Sequence, residues 1–125
     1  MRIPRFKSFQ TRVFQDRRRR FPRHRADLPL TITILRDEGY TTIHGRMNDI
    51  AEGGLGVLMA SELPAGEVVQ VEFMLPPDAE PFRARAVVRY RKGYFHGIEF
   101  LGLSDEQKQQ ILEYCIDREP ATTSK

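Results

Sequence analysis

Phe82-Arg83-Ala84-Arg85-Ala86-Val87-Val88-Arg89-Tyr90-Arg91 changes character at almost every step. Phe82, Ala84, Ala86, Val88 and Tyr90 fall on one side of an extended chain, and Arg83, Arg85, Val87, Arg89 and Arg91 on the other. Successive side chains of a strand point to opposite faces, so this run predicts a strand with one buried face. Lys92-Gly93 then offers a turn, and Tyr94 to Phe100 reads as the hairpin partner. Upstream the same period returns, with Leu28, Leu30, Ile32 and Ile34 on one face and Val69, Val71, Phe73 and Leu75 on another. Tyr40 to Ile50 is rich in strand formers, and Leu55 to Met59 makes a short strand. Asp37-Glu38-Gly39, Pro64-Ala65-Gly66 and Pro76-Pro77-Asp78 punctuate the runs with turn residues. Six or seven short strands, with a turn signal about every ten residues, predict an all-β fold, a small antiparallel barrel.

The end of the chain obeys a different rule. Ser104 with Gln107 three residues on is a capping-box pattern, and Asp105 and Glu106 favour the positive end of a helix dipole. Ile111, Leu112, Cys115 and Ile116 recur at helical spacing. A helix over 105–117 is therefore expected to pack on the barrel, with a loose tail from Pro120.

A chain of 125 residues accommodates one such domain and not two. Apolar residues at 40% and charged residues at 30% suit a soluble chain with a core. No stretch approaches the roughly 20 apolar residues of a membrane span, and MRIPRFKSFQ has no apolar segment of a secretory signal. The expectation is a cytoplasmic protein. Its single cysteine, Cys115, excludes an internal disulfide and falls on the apolar stripe of the helix, where a core role is expected.

The net charge of +3 conceals an uneven distribution. Residues 1–25 carry ten of the twenty Lys and Arg against one acid, Asp16, for a local charge of about +9. The remainder is acidic. A basic arm on an acidic body points to an anionic partner for the arm.

Catalysis has no visible carrier. His24, His44 and His96 share no metal-ligand spacing, and neither a nucleophile elbow nor a phosphate-binding glycine loop occurs. Neither an enzyme nor a cofactor-dependent protein is expected.

Two stretches carry binding chemistry. Arg19-Arg20-Phe21-Pro22-Arg23 spaces two arginines four apart, flanked by Arg17 and Arg18. Guanidinium forks grip phosphate oxygens, match O6 and N7 of guanine, and stack on bases. Pro22 turns Phe21 away from helix, and in an extended chain Arg19 and Arg23 point the same way. The second stretch is Asn48-Asp49-Ile50-Ala51-Glu52-Gly53-Gly54-Leu55-Gly56. Asp49 ends an alternating strand, and the glycines permit a left-handed turn and close backbone approach. A carboxylate there can accept from guanine N1–H and N2–H₂ or hold an arginine; an Asx-type hairpin turn is the structural alternative.

An Arg-x-x-x-Arg arm, a strand, then Asp-x-Ala-x-x-Gly entering another strand resembles the PilZ domain family. Gly97-Ile98-Glu99-Phe100 before a capped helix resembles that family's closing strand and helix. The likeness runs from about Arg17 to Ile116. It implies a six-stranded antiparallel barrel with a C-terminal helix and a flexible basic N-terminal arm, and a bacterial receptor for the second messenger cyclic di-GMP. Carried over, Arg19 and Arg23 grip the ligand with Arg18 and Arg20 as helpers, while Asp49, Ala51, Gly53 and Gly54 form the barrel side. Ala51 stands where the family usually has Ser, and the missing hydroxyl costs about 0.5–1.5 kcal/mol, up to about tenfold in affinity.

The expected organisation is a lead over 1–16, a PilZ-like domain over 17–118 whose switch segment is 17–27, and a disordered tail over 119–125. Expected partners are cyclic di-GMP and a downstream protein, with no membrane, as a monomer or homodimer. Two rival readings are a single-stranded nucleic-acid binder, favoured by the arginines at 83, 85, 89 and 91, and a degenerate PilZ-like interaction module, favoured by Ala51. The acidic body argues against the first, and intact Arg19, Arg23, Asp49 and Gly54 against the second.

Overall fold

The computed structural model describes residues 22–78, 80–116, 118 and 120. The expected lead over 1–16 and Arg17 to Phe21 of the basic run lie outside these residues, as does the tail apart from Pro120.

Among the described residues, seven strands and one helix occur in order: β1 (His24–Arg25), β2 (Pro29–Arg36), β3 (Gly39–Ala51), β4 (Gly54–Leu58), β5 (Val68–Met74), β6 (Pro81–Lys92), β7 (Phe95–Leu101) and α1 (Asp105–Cys115). The sheet runs β1-β3-β2-β5-β6-β7-β4, and a further β3–β4 pairing closes it. All pairings are antiparallel, so β2 to β7 form the expected six-stranded barrel. Closure leaves those six strands no unpaired edge. The short β1 lies against β3, with His24 opposite Ile50 and Arg25 opposite Asp49.

The alternation in the sequence fills the barrel. Leu30, Ile32 and Ile34 of β2, Val69, Val71 and Phe73 of β5, and Leu55 and Val57 of β4 all point inward and are buried. Each such side chain contributes about 1.5–3 kcal/mol when fully buried. Phe73 and Phe82 stack across β5 and β6 with ring centres 4.8 Å apart. Small Ala84 and Ala86 come after Phe82 along the inner face of β6. At the β2–β3 tip, Gly39 takes a φ of 130°, a conformation that a side chain would strain.

The capping box forms as expected. Ser104 Oγ accepts from the Gln107 N–H and Gln107 Oε1 accepts from the Ser104 N–H, both at 3.1 Å. α1 ends at Cys115, and its buried residues are Ile111, Tyr114 and Cys115. Leu112 and Ile116, expected on the buried stripe, are exposed instead. With Ile111 at the centre of the buried face, positions three and four further on share that face, while Leu112 sits about 100° and Ile116 about 140° round from it. No helix among the described residues is long and apolar enough to cross a membrane.

The ladder slips twice. One register shift lies between Met47 and Asp49 on β3, the other between Val88 and Tyr90 on β6. Each inserts one extra residue, Asn48 or Arg89, and so reverses the facing of the rest of the strand. The alternation read from Phe82 to Tyr90 therefore holds only to Val88, and Tyr90 is 45% exposed rather than in the core. The expected single face of four arginines is corrected for the same reason. Arg83 and Arg85 share the outer side, Arg89 is the inserted residue, and Arg91 lies opposite buried His96.

Candidate functional site: an arm and a carboxylate across a glycine floor

By strict alternation Asp49 would go with Met47 into the core. The Asn48 bulge re-aims it to the outer face, where the arm covers it and leaves it only 6% exposed. Arg23 Nη1 donates to Asp49 Oδ1 at 2.6 Å, and Asn48 Nδ2 donates to Oδ2 at 3.0 Å. A carboxylate so shielded needs its counter-charge close by. Backbone pairing holds Arg23 there: β1 lies on β3, and the Ala26 N–H donates to the Asn48 carbonyl at 3.2 Å. The end of the first stretch, at Arg23, thus meets the second, although Arg23 and Asp49 are 26 residues apart.

The floor beside them is made of glycine. Asp49 lies opposite Gly56, Gly56 opposite Gly97, and Gly97 opposite Tyr90, one row across four strands. A methyl group on Gly56 would run into the Asp49 carboxylate and the tip of the Phe95 ring, and one on Gly97 into the Tyr90 ring. Along β4, a methyl on Gly54 would strike the Ile98 carbonyl. Gly54 thus serves close backbone approach, while the positive-φ glycines are Gly39, Gly66, Gly93 and Gly102. Gly53 sits in the turn before β4, its carbonyl accepting from the Phe100 N–H at 2.9 Å. Ala51 lies opposite Gly54 and is buried. Asp49 lies within β3, so the hairpin-turn alternative does not apply. Arg18, Arg19 and Arg20 lie outside the described residues.

Elsewhere several charges pair with each other. Arg83 meets Glu72 at 3.2 Å, Arg89 meets Glu99 at 2.5 Å and Arg91 meets Glu62 at 3.6 Å. Three of the four arginines that favoured nucleic acid thus sit beside carboxylates, and the slip in β6 keeps them from forming one face. His96 is fully buried: its Nε2 accepts from the Leu63 N–H at 3.1 Å and its Nδ1 donates to the Tyr94 carbonyl at 2.9 Å. That leaves the ring with no nitrogen for a ligand. Among the described residues no group of three or more His, Cys, Asp or Glu is arranged to hold a metal. Burial pushes the Cys115 thiol above its ordinary range, with the nearby Arg118 charge pulling the other way.

Sequence reading singled out Arg23, Asp49 and Gly54, quoted Gly56 without giving it a role, and missed Gly97, Tyr90 and Phe95 as members of this face. Their only signal was a glycine in each of two paired strands. Which residues those glycines underlie depends on bulges that alternation does not reveal.

The closed barrel, the β1 segment laid on β3 and the capped helix together define a small β-barrel domain. The family model for the PilZ domain matches residues 17–117, and the chain belongs to that family. A search of the curated proteins found no match. Among solved structures, the Bacillus subtilis inhibitor of motility MotI/DgrA superposes with a TM-score of 0.63 at 24% identity, covering 79% of this chain and 50% of its own. This chain therefore spans about half of that protein. The PilZ domain of Escherichia coli YcgR with c-di-GMP gives 0.61 at 23% identity, over 78% of this chain and 88% of that domain. The Klebsiella MrkH–c-di-GMP complex gives 0.62 at 17% identity, over 80% and 51%.

Proposed function

We propose that this chain is a receptor for cyclic di-GMP, whose arginine-rich segment closes over the nucleotide against the barrel at Asp49 and so alters a surface read by a partner protein. The Arg23–Asp49 pair carries this reading, because it joins the arm and the barrel motif at one point. Family membership and the c-di-GMP-bound PilZ domains among its structural relatives support the choice of ligand.

The chemistry comes from the donors and acceptors that the pair leaves over. A guanidinium has five N–H donors, and among the described residues Arg23 gives one, to Asp49, which leaves others for phosphate oxygens or a guanine edge. A carboxylate has about four acceptor positions, and Asp49 uses two among the described residues, leaving room for guanine N1–H and N2–H₂. Arg23 also neutralises Asp49, which would otherwise repel a doubly charged nucleotide. Residues 17–21 bring four further arginines just before this point in the chain. Arg19 and Arg23 reach one ligand together, with Arg18 and Arg20 beside them, while Ala51 forgoes one neutral hydrogen bond.

Closure has a ready outlet. His24 bridges to Pro120, and its ring lies 3.4 Å from the Arg118 carbonyl, so an arm that moves also moves the end of the chain.

Isothermal titration with cyclic di-GMP tests the reading. Wild type should bind, and Arg23→Ala should bind about 10- to 100-fold more weakly, the worth of one to two charge-assisted hydrogen bonds. Absence of binding by wild type, or equal affinity in the variant, overturns it.

A further inference from the structure

The arm joins the barrel at a break in the strand pairing. β1 ends at Arg25 and β2 begins at Pro29, and both lie antiparallel on β3. Within the break, the Ala26 N–H donates to the Asn48 carbonyl at 3.2 Å, and the Met47 N–H donates to the Leu28 carbonyl at 2.8 Å. Asp27, between them, is held by a side chain instead. Arg46 Nε donates to its carboxylate Oδ1 at 2.6 Å, and Arg46 Nη2 donates to its main-chain carbonyl at 3.3 Å. One guanidinium thus grips both the side chain and the backbone of the residue at the break. Arg46 lies opposite Pro29, the first residue of β2, so it reaches from the end of the regular ladder back across the gap. The Asp27 side chain is 81% exposed, so burial does not account for the pairing.

We propose that Asp27 and Arg46 form a clamp on the hinge of the arm, positioning Arg23 at Asp49 for the nucleotide. This rests on the receptor reading above and adds the residues that set the arm's place. Arg23 lies four residues before Asp27, so a rotation of the chain at the break swings it away from the Asp49 carboxylate. Removing that freedom before the nucleotide arrives lowers the ordering cost of binding. Arginine suits the task, because its planar fork holds two acceptors of one residue in a fixed geometry, which a lysine ammonium does not. Both are positioning residues and act on the ligand only through Arg23. The sign of the effect separates this from plain electrostatics. Removing Asp27 takes a negative charge from the arm that meets an anionic nucleotide, and by charge alone that strengthens binding. The clamp demands the reverse.

Titration calorimetry with cyclic di-GMP on the full chain, beside Asp27→Ala, Arg46→Ala and the double variant, tests the clamp. Each single variant should bind about 2- to 5-fold more weakly, the worth of an exposed ion pair, and the double variant no more weakly than either. If wild type binds and Asp27→Ala binds equally well or more tightly, the clamp is wrong while the receptor reading stands. A loss confined to Arg46→Ala also overturns it, since Arg46 would then touch the nucleotide itself. If wild type fails to bind, the receptor reading falls, and amide hydrogen exchange without ligand decides the clamp. Asp27→Ala should speed exchange of the Ala26 amide about 2- to 5-fold while the β5 amides keep their rates. Unchanged exchange at Ala26 overturns the clamp.

Discussion

The two halves of this barrel obey different rules. In β2, β5 and the first part of β6, every residue pairs in unbroken register, from Leu30 opposite Phe73 to Glu72 opposite Arg83. Inward positions there are apolar, and the outer face carries an exposed ion pair, Arg83 with Glu72. In β3, β4, β7 and the end of β6 the ladder slips twice, glycines occupy the outer face, and a carboxylate is covered by the arm. The slips lie at the two ends of the row from Asp49 to Tyr90. A regular sheet gives stability but keeps each side chain where alternation puts it. A bulge gives up some of that regularity to re-aim one residue.

Changes in the two halves should therefore be felt differently. The largest effect belongs to the regular half. Ile32→Ala empties a fully buried site on β2 and should cost about 2–5 kcal/mol in urea unfolding. The affinity of the folded fraction for cyclic di-GMP should stay unchanged; a large loss of affinity would blur the division. Next comes Gly56→Ala in the slipped half. Its methyl displaces the Asp49 carboxylate and Phe95, an overpacking cost of about 1–3 kcal/mol. Thermal melting and calorimetry should show both a modest destabilisation and weakened nucleotide binding. Binding left intact would mean that the floor is not part of the site. The smallest effect is Glu72→Ala, which removes a pair whose side chains are 60% and 40% exposed. It should change stability by less than about 1 kcal/mol and binding not at all. A shift in ligand affinity there would extend the site to the wrong wall.

The regular half was the legible half. Period-two alternation in Leu28 to Ile34 and Val69 to Leu75 gave strands, facing and core together, because nothing interrupts those ladders. Ser104 and Gln107 announced the helix through a local hydrogen-bond pattern. In the other half, spacing and family likeness singled out Arg23, Asp49 and Gly54 as candidates, and the structure brings Arg23 onto Asp49. Their geometry was not readable. Asn48 and Arg89 carry no mark of being inserted residues, since a bulge is settled by pairing with a distant strand. That is why Tyr90 read as core and the arginines from 83 to 91 as one face. Leu112 and Ile116 misled for a related reason, as spacing fixes which residues share a helix face but not which face meets the barrel.

The central claim is that the arm and the slipped half of the barrel form one ligand site. Amide shift mapping of the full chain during titration with cyclic di-GMP tests it most directly. The expected result is a band of shifts at Arg23, Asp49, Gly54, Gly56, Tyr90 and Gly97, with β2 and β5 unmoved. Shifts centred on β2 and β5, or a spectrum that saturating ligand leaves unchanged, would contradict it.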